Sequence, residues 1–140
     1  MSRPQLEVVF CDDVRQEIGN KQSLIGVYSG DLLVKHLPAV LPKLCVVAIL
    51  RLPPAQACGS VHFRIMQGDH CLLKTDDLSE SYGLASSEQN ARIAVVAVLS
   101  PYQIDDESSL SVVCRFDETE LKSQPLRIRQ LVDDEPADGA

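Results

Sequence analysis

The sequence predicts an all-β fold: a single β-sandwich, immunoglobulin-like, with about eight to nine strands and little helix. Three observations predict it. The apolar segments are short, rich in Val, Ile and Leu, and several alternate with polar residues at a period of two. Clusters of Gly, Pro, Asn and Asp separate them at the spacing of sandwich turns. No segment sustains a 3.6-residue apolar period, so helix is expected at most around Asp12–Glu17 or Ser79–Asn90.

The elements follow in order. Gln5–Cys11 alternates Leu6, Val8 and Phe10 against Glu7, Val9 and Cys11, and both faces are partly apolar. Asp12–Gln22 is polar, contains Gly19-Asn20, and reads as a loop or short helical turn. Ser23–Tyr28 is a second strand, in which Gly26 signals a bulge or a close backbone approach. Leu32–His36 is a short third strand, and Pro38 and Pro42 bracket an extended connection. Leu44–Leu52 is apolar on both faces, as a central strand covered on two sides would be, and Pro53-Pro54 ends it. Ser60–Met66 points Val61, Phe63 and Ile65 one way and His62, Arg64 and Met66 the other. Gln67-Gly68-Asp69 turns the chain, and His70–Lys74 returns as the second arm of a hairpin. Thr75–Ala91 is the longest segment without a strand pattern. Arg92–Leu99 is the second doubly apolar strand and is also expected to be central. Ser100–Ser109 is an acidic loop, Leu110–Phe116 and Leu126–Leu131 are the last strands, and Asp117–Gln124 turns between them. Residues 1–132 are expected to form one domain, and the acidic tail 133–140 to be disordered. Apolar burial contributes roughly 1.5–3 kcal/mol per side chain. A charge at Val47 or Val96 is therefore expected to unfold the domain.

Composition narrows the function. The chain has 140 residues, enough for one core without disulfide staples. Its formal charge is −7, and the last eight residues hold four of the acids, which leaves −3 on residues 1–132. A mildly acidic body with scattered Lys and Arg argues against nucleic acid and against anionic membranes as partners. The start of the chain has no uninterrupted apolar core of the kind a signal peptide needs, and no apolar run approaches the roughly 20 residues that span a bilayer. A cytoplasmic location is expected. The five cysteines, Cys11, Cys45, Cys58, Cys71 and Cys114, are odd in number, widely spaced and free of any Cys-x-x-Cys, and so read as thiols. Cys11, Cys45, Cys71 and Cys114 lie in apolar strands and are expected to act as small core residues.

No P-loop, dinucleotide fingerprint or nucleophile elbow is present, so no catalytic residue, cofactor or small-molecule substrate is assigned. Asp12, Asp13 and Glu17 lack the spacing of a calcium loop and read as an exposed strand end, with Arg15 near Asp13. His62 and His70 with Asp69 flank the predicted hairpin and form a weak alternative metal set, but their spacing fits no zinc motif. Arg127 and Arg129, with Arg115 on the preceding strand, form a small candidate anion patch, or else pair with Asp117, Glu118 and Glu120.

Phe10–Glu17, Ser23–Tyr28 and Leu41–Val46 resemble a family of small uncharacterised proteins from bacteria and their phages, over most of residues 5–131. The end of the chain resembles the final hairpin of an immunoglobulin-like sandwich, although no Trp is present for an antibody-type core. The resemblance implies a phage-side role, as a virion component or a binder of a host factor, and brings no catalytic residue.

A non-enzymatic protein-interaction module is therefore the leading expectation, with another protein as partner. Its expected contact residues lie in three loops: Asp12, Asp13, Arg15 and Glu17; Tyr82; and Tyr102, Asp105 and Asp106. One alternative is an enzyme or small-ligand or metal binder with scattered residues near His62 and His70. The other is a self-assembling homo-oligomer.

Overall fold

The computed structural model describes residues 3–53, 59–78 and 91–132. The chain is all-β and of the sandwich-like class, with no helix among the described residues. Twelve strands form among the described residues: β1 (Gln5–Glu17), β2 (Lys21–Val27), β3 (Leu32–Val34), β4 (Ala39–Leu41), β5 (Leu44–Leu52), β6 (Val61–Gln67), β7 (His70–Lys74), β8 (Ala91–Leu99), β9 (Tyr102–Ile104), β10 (Ser108–Phe116), β11 (Thr119–Lys122) and β12 (Leu126–Gln130). The three beyond the expected number, β4, β9 and β11, have only three or four residues. Segments that short carry no readable period.

Strand order is β2-β1-β5-β8 in one sheet and β3-β12-β10-β6-β7 in another, with β11 beside β10; β4 and β9 form a two-stranded ribbon. The residues gather into two compact units. The first contains β6, β7 and β11, with the Ala48–Leu52 end of β5 and the Ser111–Phe116 end of β10. Its core includes Leu50, Val61, Phe63, Val112, Cys114 and Phe116, each at most 3% exposed. The second contains β2, β3, β4, β9 and β12, with most of β1. Cys11, Leu32, Leu44, Ile104, Leu110 and Ile128 are buried there.

The hairpin of β6 and β7 forms as its alternation requires. Val61, Phe63 and Ile65 are buried and Gly68 turns the chain at a φ of +57°. The ladder pairs Arg64 with Lys74 and Gln67 with His70, with a bulge at Ile65/Met66. In the second unit, β12 runs parallel to β3, Ile128 opposite Leu32.

Several expectations are corrected. Asp12–Glu17 is neither loop nor helix but the outer half of β1, paired with β2 from Cys11↔Val27 to Glu17↔Lys21. Arg92–Leu99 lies within β8, which ends its sheet and is not central. One side of it is open, with Val96 38% and Val98 53% exposed. Apolar composition cannot separate a covered face from an open one, because much protein surface is apolar. Cys71 is exposed because neither face of β7 is covered, with Leu72 alone among its residues half-buried. Cys11, Cys45 and Cys114 are buried in strands, as expected. Cys58, Tyr82, residues 79–90 of the predicted loop and the tail 133–140 lie outside the described residues.

Tyr102 is the sharpest departure. It lies on β9 opposite Leu41, only 5% exposed, not in an accessible loop. Its hydroxyl is buried with no hydrogen-bond partner among the described residues. Burial pushes its acidity up to about 12 from the usual 10. Between these values the unfolded chain ionises while the folded chain keeps its proton, so stability falls as pH rises from 10 to 12. The loss is on the order of 2 kcal/mol. Tyr102→Phe removes both this pH dependence and an unsatisfied hydroxyl. At pH 7 the variant is expected to be at least as stable as the parent. Urea unfolding of the two proteins at pH 7, 10 and 11.5 checks this; parallel losses in both would refute it.

Candidate functional site

Among the described residues, polar chemistry gathers at two concavities, one in each unit. The first is built by the β1–β2 hairpin. Asp12 lies between the paired positions Cys11↔Val27 and Asp13↔Ile25, facing Gly26. Gly26 has a φ of +69°, and a Cβ there would overlap the Asp12 carboxyl, with Cγ 2.7 Å away. The close approach signalled by a glycine inside the apolar run is thus a side chain lying over a bare backbone. Tyr28 donates from its hydroxyl to Asp12 Oδ1 at 3.1 Å, and its N–H bonds the Phe10 carbonyl at 2.9 Å.

The adjacent acid has a different environment. Asp13 Oδ1 accepts from Lys43 Nζ at 2.7 Å and from the Val14 N–H at 2.9 Å, and Arg15 stands 3.7 Å from Oδ2. The hydrogen bond from Lys43 holds the Asp13 carboxyl below the usual carboxylate range, and raises the lysine in turn. Asp12 makes no ion pair among the described residues. It opens on a cavity of about 450 Å³ lined by residues 26–33 and Leu41. Val27, Leu33 and Leu41 give this cavity apolar walls, and Asp31 on its wall is held by Arg129 Nε at 2.7 Å. Beneath, Cys11 and Cys45 donate to the carbonyls of Asp13 and Asp12, at 3.5 and 3.8 Å. Burial, followed by the neighbouring Cys45, pushes the Cys11 thiol up, which keeps it protonated.

The second concavity, about 370 Å³, lies on the outward face of the first unit. His62, Arg64, Lys74, Thr75, Asp76, Asp77 and Arg115 line it. Past Lys74 the chain stays tied to β6 by side chains: Phe63 N–H donates to Thr75 Oγ1 and Val61 N–H to Asp77 Oδ1, both at 3.0 Å. Arg64 reaches Glu120 at 3.3 Å, and Arg115 Nε donates to the Asp117 carbonyl at 3.3 Å.

The structure therefore redistributes the candidate residues. Asp12, Asp13, Arg15 and Glu17 share β1, and of these Asp12 lines the 450 Å³ cavity. Asp105 and Asp106 lie between β9 and β10, where Asp105 accepts from Gln103 at 2.9 Å. His62 sits near Thr75, while His70 is at the turn with Asp69, so the hairpin does not bring the two histidines together. Among the described residues no group of three or more His, Cys, Asp or Glu is placed to hold a metal ion. Arg115 belongs to the first unit and Arg127 and Arg129 to the second, and the partner of Arg129 is Asp31, outside the acids expected for it. Sequence reasoning missed Tyr28 and Lys74. Both were legible only through register, which places one by Asp12 and the other across from Arg64.

Fold and sites together describe a strand-built protein that carries open polar concavities among its described residues. Residues 7–129 match the model of a family of unknown function, DUF6941, and the chain belongs to that family. No curated protein and no solved structure matches it. Among the described residues, no helix is long and apolar enough to cross a membrane.

Proposed function

We propose that the chain is a non-enzymatic protein-interaction module that docks a basic side chain of a partner protein at Asp12. One observation carries this reading: a carboxylate fixed by Tyr28 and Gly26, with no ion pair among the described residues, opens on a cavity with apolar walls. An Arg or Lys side chain matches both features, its stem against Leu33 and Leu41 and its head on Asp12. The net charge of −7 favours a basic partner at long range. The resemblance to small bacterial and phage proteins fits a virion component or a binder of a host factor. A second reading, self-assembly, draws on Val96 and Val98, exposed on a strand that ends its sheet.

The test is retention of partners by the tagged full chain against Asp12→Asn, which removes the charge and keeps the shape. A partner held by the parent is expected to bind the variant at least about tenfold more weakly. Equal binding by both places the docking surface away from Asp12. Light scattering on the eluted chain separates the second reading, which requires a discrete oligomer in place of a monomer.

A further inference from the structure

The concavity of the first unit is an electrostatic exception. The chain carries 20 acidic against 13 basic residues, yet three of the basic ones and one of three histidines surround this single cavity. Arg64 and Lys74 are direct partners in the antiparallel ladder, so their side chains leave the same face roughly 5 Å apart. Arg115 reaches the cavity from β10, the neighbour of β6. In a chain with surplus acid, cations that served only stability would be expected in ion pairs. Lys74 and Arg115 make none among the described residues. Of the two acids on the wall, Asp77 is turned to the Val61 N–H. Asp76 remains on the wall and Arg64 is shared with Glu120, so Lys74 and Arg115 are the cations of this cavity without an ion pair among the described residues.

We infer that this concavity is a binding site for a phosphoryl oxyanion. Two guanidinium groups and an ammonium group supply charge-assisted donors from three strands, and guanidinium pairs match phosphate in bidentate geometry. Thr75 Oγ1 accepts from Phe63, which leaves its own proton to donate. A three-oxygen head group uses donors converging from several directions, whereas a carboxylate presents only two oxygens. The strands fix the Cα positions, so the site is largely formed before the ligand arrives. His62 also stands on the wall, with its Nδ1 3.4 Å from the Thr75 carbonyl.

The experiment is thermal unfolding of the full chain titrated with inorganic phosphate at constant ionic strength, chloride making up the balance. Ligand binding raises the midpoint along a saturating curve, whereas general salting-out rises without saturation. The expected result is a saturating rise for the parent and about a tenfold or larger weakening of apparent Kd in Lys74→Met/Arg115→Met. Both side chains are exposed, so the double variant without phosphate is expected to melt near the parent. Arg115→Gln alone provides a second variant with a smaller loss. The inference is overturned if the double variant responds to phosphate as the parent does, or if the parent's response does not saturate. Acetate matching phosphate at equal ionic strength would overturn the phosphoryl assignment.

Discussion

Val47→Asp is expected to unfold the protein. Val47 is 4% exposed on β5, in a run where Leu44 to Ala48 are all buried. β5 lies between β1 and β8, so neither edge of the strand offers water to a new carboxylate. A buried charge without a partner costs more than about 4 kcal/mol, a large part of the 5–15 kcal/mol that typically holds a domain together. Val96→Asp is the matched control. Its side chain is 38% exposed on β8, and its cost is expected to stay within about 1 kcal/mol. Circular dichroism melts of the two variants check the pair. Equal melting of Val47→Asp and the parent would remove β5 from the core.

The contrast between these valines marks how far the sequence could be read. Leu44–Leu52 and Arg92–Leu99 look alike as strings, and both are strands. Covering of the second face depends on what lies opposite, which no local pattern contains. Short-range signals succeeded where they were self-sufficient. The alternation of Val61, Phe63 and Ile65, with a glycine turn beyond, determined the β6–β7 hairpin. They failed for Asp12–Glu17, because none of its residues is buried and the segment has no apolar period to show. Tyr102 failed differently: an aromatic beside Pro101 and before three acids reads as loop, while its burial follows from pairing with β4. The cationic concavity was half visible. His62 and Arg64 were assigned to the outward face, but Lys74 and Arg115 join them only through the register of β7 and the order of β10 beside β6.

Gly26→Ala separates a structural from a functional account of Asp12. Two penalties act on the variant. A non-glycine residue at a φ of +69° is strained, by about 1–2 kcal/mol. The new methyl also overlaps the Asp12 carboxyl, which must leave its place and give up the hydrogen bond from Tyr28. Together these are expected to cost about 2–4 kcal/mol, read from urea unfolding. Combining Gly26→Ala with Asp12→Ala removes the overlap and leaves the strain, so the double variant should recover roughly 1–2 kcal/mol of the single variant's loss beyond additivity. Purely additive losses would mean that the glycine answers only to the backbone. A positive coupling means that the glycine also makes room for a carboxylate. A carboxylate given room at that cost, and without an ion pair among the described residues, is better explained by a partner's basic group than by the stability of the β1–β2 hairpin. Comparing the loss of stability with the loss of binding in Asp12→Asn then decides between the two accounts.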